Sequence, residues 1–319
     1  MLLITGGTGF IGGHLLERLA ASGEPARCLV RRRALARPLP PPMQAVFGDL
    51  AAGQGIEAAL EGVDTVIHLA GVTKALRPSD YRAGNARATQ TLVRALAGRP
   101  VRLVHVSSLA AAGPGELIAE DAEPRPVSAY GKSKLEAERA VRALLPGAVI
   151  VRPPVVYGPR DTDVFRILKP VASGWSVEIA GGGRRFSAIF VKDLVEGLLL
   201  AARSPRAAGR TYFMAHSQPA SWRELGVVAA RVMGRTPPRV ISVPYAAAWA
   251  FAACAEGWGL VTGRAGIVSR DKVVEARWPC WTCDAARASA ELGFEARVTL
   301  ENGLAETLAW YKEAGWLKY

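Results

Sequence analysis

A tyrosine and a lysine lie four residues apart at the start of a predicted helix, in the segment Tyr130-Gly131-Lys132-Ser133-Lys134. At this spacing the side chains of Tyr130 and Lys134 share one helix face. A free phenol has a pKa of about 10, and a nearby ammonium lowers that pKa toward the range in which a phenol transfers protons at neutral pH. Tyr130 and Lys134 are therefore the candidate acid–base pair.

Two serines precede this pair at the end of a predicted strand, in the segment Val106-Ser107-Ser108. The carboxyl edge of a doubly wound parallel sheet is where such sheets bind ligands. A serine hydroxyl at this edge could hold a substrate oxygen next to Tyr130. The sequence places no His, Cys or paired carboxylate at a comparable strand end, so we expect the tyrosine to carry the proton transfer.

A glycine-rich turn joins the first predicted strand to the first predicted helix, in the segment Thr5-Gly6-Gly7-Thr8-Gly9-Phe10-Ile11-Gly12. Gly6, Gly9 and Gly12 have the spacing G-x-x-G-x-x-G. Glycines at these places allow a tight turn, a close approach of the backbone to a pyrophosphate, and close packing of the helix on the strand. The amino end of the helix then faces the phosphates. The segment predicts a dinucleotide site.

The end of the second predicted strand distinguishes the two nicotinamide cofactors. An NAD site needs an acidic residue there to bind the ribose 2′-hydroxyl, and Val30 occupies that place. Arg31 and Arg32 follow, and a guanidinium can bind a 2′-phosphate with two hydrogen bonds. We therefore expect NADP, with NAD as the less favoured alternative.

Short apolar segments alternate with helical segments through the first half of the chain. The predicted strands cover residues 2–5, 26–30, 44–47, 65–69, 102–107 and 148–152, and the predicted helices cover residues 12–22, 56–60, 86–97 and 128–145. This alternation predicts an α/β fold, a Rossmann-type doubly wound parallel sheet with a smaller C-terminal substrate-binding lobe. Residues 1–155 would form the NADP-binding domain and residues 156–319 mainly the lobe. A strand and helix at residues 187–201 would return to the main sheet, so that residues 186–205 rejoin the first domain.

The chain is basic, with 40 Lys and Arg against 28 Asp and Glu and a formal net charge of +12. Most of these residues are scattered arginines that do not alternate with aromatic residues, so we expect no nucleic-acid partner. Cys280 and Cys283 form one C-x-x-C without a second ligand pair, which predicts neither a metal site nor a redox role. Few cysteines, and a core strand at the start of the chain without a targeting segment, favour a reducing cytoplasm.

One segment, residues 243–261, is unusually apolar and about long enough to span a bilayer. It contains Glu256 and several glycines, which argue against spanning. We expect a core or interfacial helix, which is compatible with weak contact with a membrane surface.

Together these residues resemble the extended short-chain dehydrogenase/reductase family, also described as NAD-dependent epimerase/dehydratase-like. The resemblance extends through residues 5–12, Gly48-Asp49-Leu50, His68-Leu69-Ala70-Gly71, Asn85, Val106-Ser107-Ser108, Tyr130 to Lys134, Arg152-Pro153-Pro154-Val155-Val156-Tyr157-Gly158-Pro159 and Val191-Lys192-Asp193-Leu194. It implies that Asp49 contacts the adenine, that Tyr130 is the acid/base, that Lys134 also holds the nicotinamide ribose, and that Ser108 orients the substrate. The implied cofactor-binding residues are Gly6, Thr8, Gly9, Phe10, Ile11, Gly12, Arg31, Arg32, Asp49, Leu50, Leu69, Ala70, Gly71, Asn85, Ser107, Tyr130, Lys134, Pro153 and Val156.

The branch of the family is indicated by what is missing. Nucleotide-sugar epimerases and dehydratases usually carry an Arg-Asp pair shortly before the Val-x-Asp motif, where this chain has Phe186 and Ser187, with Arg184 and Arg185 just upstream. The tyrosine that those enzymes often have before Gly113 is an alanine here. With these departures, the chain resembles the hydroxysteroid dehydrogenase and dihydroflavonol reductase branch of the family.

We therefore expect an enzyme that reduces a ketone, or oxidises a secondary alcohol, of an apolar small-molecule substrate. A nucleotide-sugar epimerase or dehydratase with tightly held NAD(P) is the alternative. A third hypothesis is a non-catalytic nucleotide-binding sensor or scaffold, although such relatives typically lose the Tyr/Lys pair. The sequence leaves the oligomeric state open, and a homodimer is one of the alternatives.

Overall fold

The alternation of strands and helices is present in the computed structural model, which describes residues 1–31, 38–179, 181, 183–262 and 269–319. The strands are β1 (Leu2–Thr5), β2 (Ala26–Val30), β3 (Gln44–Phe47), β4 (Thr65–His68), β5 (Arg102–Val106), β6 (Gly115–Ile118), β7 (Val149–Arg152), β8 (Val155–Tyr157), β9 (Trp175–Ile179), β10 (Arg185–Phe186), β11 (Ala188–Phe190), β12 (Thr211–Phe213), β13 (Ala220–Ser221), β14 (Arg239–Val243) and β15 (Cys280–Cys283). The α-helices are α1 (Phe10–Ala21), α2 (Ile56–Leu60), α3 (Pro78–Tyr81), α4 (Ala88–Leu96), α5 (Leu109–Ala112), α6 (Ala129–Leu144), α7 (Asp163–Ala172), α8 (Val191–Arg203), α9 (Trp222–Val232), α10 (Tyr245–Thr262), α11 (Arg270–Glu275), α12 (Ala286–Leu292) and α13 (Leu300–Glu313).

The main sheet has seven strands within the described residues, in the order β12-β7-β5-β4-β1-β2-β3. Every pairing in it is parallel. The strand order reverses between β1 and β4, and the carboxyl ends of the strands at such a reversal leave a crevice in which ligands bind. The predicted α/β fold with a Rossmann-type parallel sheet is confirmed.

Both faces of the main sheet are covered by helices, which explains why its strands are almost entirely apolar. On one face α1 and α8 bury residues such as Leu15, Leu19 and Leu198 against the strands. On the other face α2, α4 and α6 contribute residues such as Leu92 and Val141. The site residues at the strand ends are therefore held by a core packed from both sides.

Several element boundaries differ from the prediction. Helix α1 begins at Phe10, two residues before the predicted start, because Gly9 in extended backbone serves as its N-cap. A π-helical turn, Arg82–Arg87, precedes α4 and absorbs the start of the predicted helix at residue 86. The six predicted strands of the first half are confirmed, with ends within one residue.

The predicted return to the main sheet is wrong for its strand. Strand β11 pairs with β8 in a separate two-stranded sheet. The helix that follows, α8, does lie against the main sheet. The strand that joins the sheet is β12, which pairs with β7. It has only three residues, Thr211–Phe213, too few to show a periodic pattern.

The remaining elements form short sheets around a second core. One sheet has the order β13-β10-β15-β6, and another pairs β14 with β9. Helices α7, α9 and α13 bury a cluster that includes Leu168, Leu225, Leu304 and Tyr311. Helix α10 confirms that the apolar segment is helical. Within the ranges described, no helix has both the length and the hydropathy to cross a bilayer.

Candidate functional site

The glycine turn lies at the carboxyl end of β1, next to the strand-order reversal. Gly6 has φ +77°, and a Cβ atom there would come within 2.6 Å of the Ala70 backbone nitrogen. A Cβ atom on Gly12 would collide with the Gly6 carbonyl oxygen. Thr8 and Gly9 are exposed at the tip of the turn, and Phe10 and Ile11 are half-buried in the first turn of α1. The backbone of the turn is therefore open to a ligand, with the amino end of a helix behind it.

The end of β2 carries the residues expected to recognise the adenosine ribose. Val30 is buried, and Arg31 directly after it is exposed and has no ion pair within the described part of the chain. Arg32 lies outside the described residues. Nearby, Asp49 accepts a hydrogen bond from the Ala51 backbone nitrogen at 2.8 Å through Oδ1, and Leu50 is buried. The available charge at this strand end is positive, as a 2′-phosphate would need.

The segment after β4 is attached to β1. The Leu69 backbone nitrogen donates to the Thr5 carbonyl at 3.0 Å, and the Ala70 nitrogen donates to Thr5 Oγ1 at 3.3 Å. A Cβ atom on Gly71 would come within 2.9 Å of Asn85 Oδ1. These contacts place residues 69–71 directly opposite the glycine turn.

Asn85 lies in the π-helical turn and is buried. Its Oδ1 accepts from the Val72 nitrogen at 2.7 Å, and its Nδ2 donates to the Val72 carbonyl at 3.0 Å and to Ser133 Oγ at 2.9 Å. All of the amide's main hydrogen-bonding groups are therefore used within the protein. Asn85 joins the segment after β4 to α6, which makes it a residue that positions the cofactor-binding backbone.

Tyr130 occupies the first turn of α6 and is half-buried. Burial raises its pKa above the usual value, while the Lys272 ammonium and a hydrogen bond with the Ser108 side chain act in the opposite direction. Ser108 is the N-cap of α5, and its Oγ accepts from the Ala110 nitrogen at 3.1 Å. The phenol and the serine hydroxyl are thus brought together at the carboxyl edge of the main sheet, as the sequence predicts.

Lys134 is buried one helical turn after Tyr130. Its Nζ donates to the Val106 carbonyl at 2.7 Å, which ties α6 to the end of β5. Burial lowers its pKa to about 8, so the ammonium form still dominates at neutral pH. The prediction assigned to Lys134 the lowering of the Tyr130 pKa, whereas the structure gives the largest such effect to Lys272.

One more turn along α6, Glu138 forms a buried ion pair with Arg152 at the end of β7. The Arg152 Nε and Nη2 atoms donate to the two carboxylate oxygens at 2.9 and 2.6 Å. Both side chains are about 5% exposed. Because the pair is bidentate and buried, it holds the register of α6 against the sheet and, with it, the position of Tyr130.

Two residues of the second lobe reach the amino end of α6. The Asp271 carboxylate accepts from the Ala129 nitrogen at 2.6 Å and from the Tyr130 nitrogen at 3.2 Å. The Lys272 Nζ lies 5.5 Å from the centre of the Tyr130 ring. Sequence reasoning missed both residues, which lie some 140 positions from Tyr130 and form no motif with it. Only their contacts identify them.

The site fits a nicotinamide dinucleotide on observations of its own residues. Gly6 and Gly12 lie where side chains would fill the cradle. The hydroxyl of Ser107 is buried and has no hydrogen-bond partner within the described residues, which is unusual for a buried polar atom. Pro153 is buried and accepts from the Leu109 nitrogen at 2.9 Å, and Val156 is half-buried on β8. These residues border the same sheet edge.

The positions expected to bind a nucleotide diphosphate are used otherwise. Phe186 is buried and stacks on Trp222 with ring centres 4.1 Å apart. Ser187 is fully buried, and its Oγ accepts from the Cys283 nitrogen at 3.1 Å. Of the two arginines upstream, Arg184 donates to the Ile179 carbonyl. The other, Arg185, pairs with Glu116 at 3.6 Å.

Cys280 and Cys283 are both on β15 and are free thiols. Cys283 is buried among apolar residues, and burial raises its pKa to about 12. Across the described ranges there is no group of three or more His, Cys, Asp or Glu side chains arranged to hold a metal ion.

Comparison with known proteins places this architecture in a family. Residues 2–215 match the model of the NAD dependent epimerase/dehydratase family. The chain is similar to a ceramide reductase of Caulobacter vibrioides, with 30% identity over 99% of this chain and 96% of the relative. It is also similar to a 3 beta-hydroxysteroid dehydrogenase/Delta 5-->4-isomerase of Mycobacterium tuberculosis, with 28% identity over 97% of this chain and 90% of that protein.

Among solved structures, the chain resembles MoeE5 in complex with UDP-glucuronic acid and NAD, with a TM-score of 0.76 and 27% identity over 98% of this chain and 99% of MoeE5. The family match covers the glycine turn, the Tyr130/Lys134 pair and all seven strands of the main sheet. The protein is an enzyme of the NAD-dependent epimerase/dehydratase family, that is, an extended short-chain dehydrogenase/reductase.

Proposed function

We propose that the protein is an NADP-dependent oxidoreductase that interconverts a ketone and a secondary alcohol on an apolar substrate. The observation that carries this proposal is the environment of Phe186 and Ser187, where nucleotide-sugar enzymes of this family usually have arginine and aspartate. An apolar ring stacked on Trp222 and a serine bonded to backbone offer no cation to a diphosphate. The lack of a cation at these two positions favours an apolar substrate over one that carries a diphosphate.

Tyr130 would serve as the acid in the reducing direction and as the base in the oxidising direction. Its proton passes to or from the substrate oxygen, while the Ser108 hydroxyl holds that oxygen by a hydrogen bond. Burial favours the neutral phenol, and the positive charge of Lys272 favours the phenolate. Lys134 donates a hydrogen bond to the Val106 carbonyl and so joins α6 to the end of β5. It would also bind the nicotinamide ribose.

The cofactor would lie along the glycine turn, with residues Gly6, Thr8, Gly9, Phe10, Ile11 and Gly12 at the pyrophosphate. Arg31 and Arg32 would bind the 2′-phosphate, and Asp49 and Leu50 the adenine. When bound, NADP supplies or accepts the hydride at the substrate carbon. The orphaned Ser107 hydroxyl would gain a partner on the cofactor side, beside Pro153 and Val156.

The names of the two protein relatives support an apolar substrate. Ceramide is a lipid with two long hydrocarbon chains, and a hydroxysteroid is a fused apolar ring system with a secondary alcohol. The chain matches both relatives over almost its entire length, so the similarity includes the second lobe, where substrates of this fold bind.

A second candidate function, a nucleotide-sugar epimerase or dehydratase, is favoured by the similarity to MoeE5, whose complex contains UDP-glucuronic acid and NAD. In such an enzyme the hydride taken from the sugar is returned to it. The two functions differ in whether the cofactor changes its redox state over a full turnover.

Absorbance at 340 nm distinguishes the two candidates. The purified enzyme would be mixed with NADPH or NADH and a panel of steroid ketones, long-chain 3-keto compounds and UDP- or dTDP-sugars. We expect NADPH consumption with an apolar ketone. Conversion of a sugar nucleotide without a change in absorbance, and no reaction with any ketone, would contradict the proposal and support the epimerase.

A further inference from the structure

Helix α10 exposes large apolar side chains over most of its length. Trp249, Phe251, Trp258, Leu260 and Val261 are 43%, 65%, 71%, 53% and 80% exposed. Only Ala248, Ala252 and Gly259 are buried. A helix on the surface of a soluble protein normally turns a polar face to water. Among the exposed residues of α10, none carries a charge.

The neighbouring pair of strands extends this surface. Trp175 and Val177 on β9, and Val240 and Ile241 on β14, are each between 40% and 53% exposed. Strand β14 leads directly into α10, and its last residue, Val243, packs with Ile179 against the buried side of the helix. We call α10 and the exposed faces of β9 and β14 the apolar surface. Large exposed apolar surface on neighbouring elements marks a contact site.

Cationic and aromatic groups lie at the margins of the apolar surface. The Arg270 guanidinium lies 5.8 Å from the centre of the Trp249 ring and pairs with Glu256, the only charged residue of α10. The Arg239 guanidinium lies 5.9 Å from the centre of the Trp175 ring. Tryptophan prefers the interface between headgroups and hydrocarbon, and arginine there contacts lipid phosphates.

Charge selects a membrane over a second copy of the chain as the occupant. The protein has a net charge of +12, so two copies repel each other, whereas a bilayer containing anionic lipids attracts each of them. Helix α10, with Glu256 as its one charged residue, lacks the combined length and hydropathy needed to cross a bilayer, as do the other helices of the described residues. Its exposed tryptophans, Trp249 and Trp258, suit the headgroup region of a bilayer.

The apolar surface is one helix away from the candidate acid–base residue. Helix α11 packs on α10 through Val273, which shares a cluster with Ala248 and Ala252. The same short helix carries Asp271 and Lys272 to the amino end of α6 and to the Tyr130 ring. A substrate that leaves the bilayer at the apolar surface would thus enter the protein next to the site.

We propose that the apolar surface docks the protein on an anionic lipid bilayer, with α10 in the headgroup region and Arg239 and Arg270 on lipid phosphates. The delivery of an apolar substrate rests on the proposed function, but membrane binding itself does not and is measured without turnover. Failure of either idea therefore leaves the other open to its own test.

Flotation with vesicles tests the docking. The full-length protein would be mixed with vesicles of phosphatidylcholine alone or with about a third phosphatidylglycerol. We expect flotation with the anionic vesicles, weaker flotation at high salt, and little with phosphatidylcholine alone. Phe251→Ser combined with Trp258→Ser should reduce partitioning at least tenfold, because two exposed rings that enter the interface are lost.

The control is Leu144→Ser combined with Leu200→Ser, which removes two exposed apolar side chains, 42% and 38% exposed, that lie on α6 and α8 and not on the apolar surface. This variant should float like the unmodified protein. Melting temperatures of both double variants equal to that of the unmodified protein would show that their folds are intact. Equal flotation of the two variants, or no flotation of the unmodified protein, overturns the proposal.

An independent readout uses Cys254, the exposed thiol on α10. In a Cys280→Ser background, a polarity-sensitive fluorophore on Cys254 should shift its emission to shorter wavelength on anionic vesicles. Light scattering of the protein without lipid tests the other occupant. A stable dimer that dissociates in the Phe251→Ser/Trp258→Ser variant, together with an unchanged fluorophore on vesicles, would assign the apolar surface to a second copy and contradict docking on lipid.

Discussion

The two halves of the molecule bury and expose opposite kinds of side chain. In the nucleotide half, polar residues such as His68, Asn85 and Glu138 are buried and hydrogen-bonded within the protein. In the second lobe, large apolar residues on β9, β14 and α10, such as Trp175, Ile241 and Trp258, are exposed. The exposed large apolar residues Leu144 and Leu200 lie instead on α6 and α8, the helices that cover the main sheet.

The contrast agrees with the role proposed for each half. A dinucleotide is polar, so the strand ends that would hold it need fixed hydrogen-bonding groups, and burial makes those groups rigid. His68 illustrates the cost: it is stacked on His105 and fully buried, and burial lowers its pKa to about 3, so that it stays neutral. The second lobe carries the apolar surface, which we propose lies against a lipid bilayer.

Removal of the Tyr130 hydroxyl is expected to have the largest effect. Tyr130→Phe keeps the ring and its packing against Tyr81 but removes the proton, so turnover should fall by about 10² to 10⁴-fold. Cofactor affinity and melting temperature should stay the same. Lys134→Met should reduce both turnover and cofactor affinity. Steady-state kinetics and calorimetric titration measure these effects. Near-normal turnover of Tyr130→Phe on the true substrate would reject the mechanism and favour a scaffold.

Ion pairs in the two halves should differ in strength. Arg152→Met leaves the Glu138 carboxylate buried without a partner, and the free energy of unfolding should fall by about 3 to 5 kcal/mol. The matched control, Arg270→Met, breaks a pair with Glu256 whose side chains are 53% and 22% exposed, and should cost about 1 kcal/mol or less. Urea unfolding measures both. Equal losses in the free energy of unfolding would show that the ion pairs of the two regions do not differ in strength.

Arg31 tests the cofactor preference of the nucleotide half. Arg31→Ala should weaken NADP binding by about 1.5 to 3 kcal/mol, the size of a charge-assisted hydrogen bond, and leave NAD binding nearly unchanged. Arg206→Ala, at another exposed arginine, serves as the control and should change neither. Fluorescence titration gives both dissociation constants. Equal affinity of the unmodified protein for NADP and NAD would contradict the preference.

Lys272 tests whether the second lobe tunes the acid–base residue of the first. Its ammonium lowers the pKa of Tyr130, so Lys272→Met should raise that pKa. The rise of oxidation with pH, and the fall of reduction with pH, should both move to higher pH. Lys272→Arg keeps the charge and should restore the original profile. An unchanged profile in Lys272→Met would limit Lys272 to a structural contact with Glu275.

The cysteines of β15 should have the smallest effect. Cys280→Ser combined with Cys283→Ser should leave turnover within a few-fold, because Cys283 is held as a buried neutral thiol. Elemental analysis of the purified protein provides a second measurement. Stoichiometric, tightly bound zinc would contradict this prediction.

Most of the first half could be predicted because its signals are local. The strands of the main sheet are largely apolar segments, and the start of α1 was missed by only two residues, since the helix begins at Phe10, directly after its N-cap Gly9. The second half of the chain was less predictable. Strand β12 has three residues, and β10 and β13 have two each, so no period could be recognised in them.

The sequence by itself determined the α/β fold, the glycine turn and the Tyr130/Lys134 pair, because each depends on residues within one element or one connection. Only the tertiary structure decided that Asp271 and Lys272 reach Tyr130, that Phe186 stacks on Trp222, and that α10 faces outward. A pattern of hydrophobicity shows that a helix has an apolar face, but not whether that face meets a core, a partner or a bilayer. That outcome depends on how distant segments pack, and the free energy of such packing is not encoded in any local period.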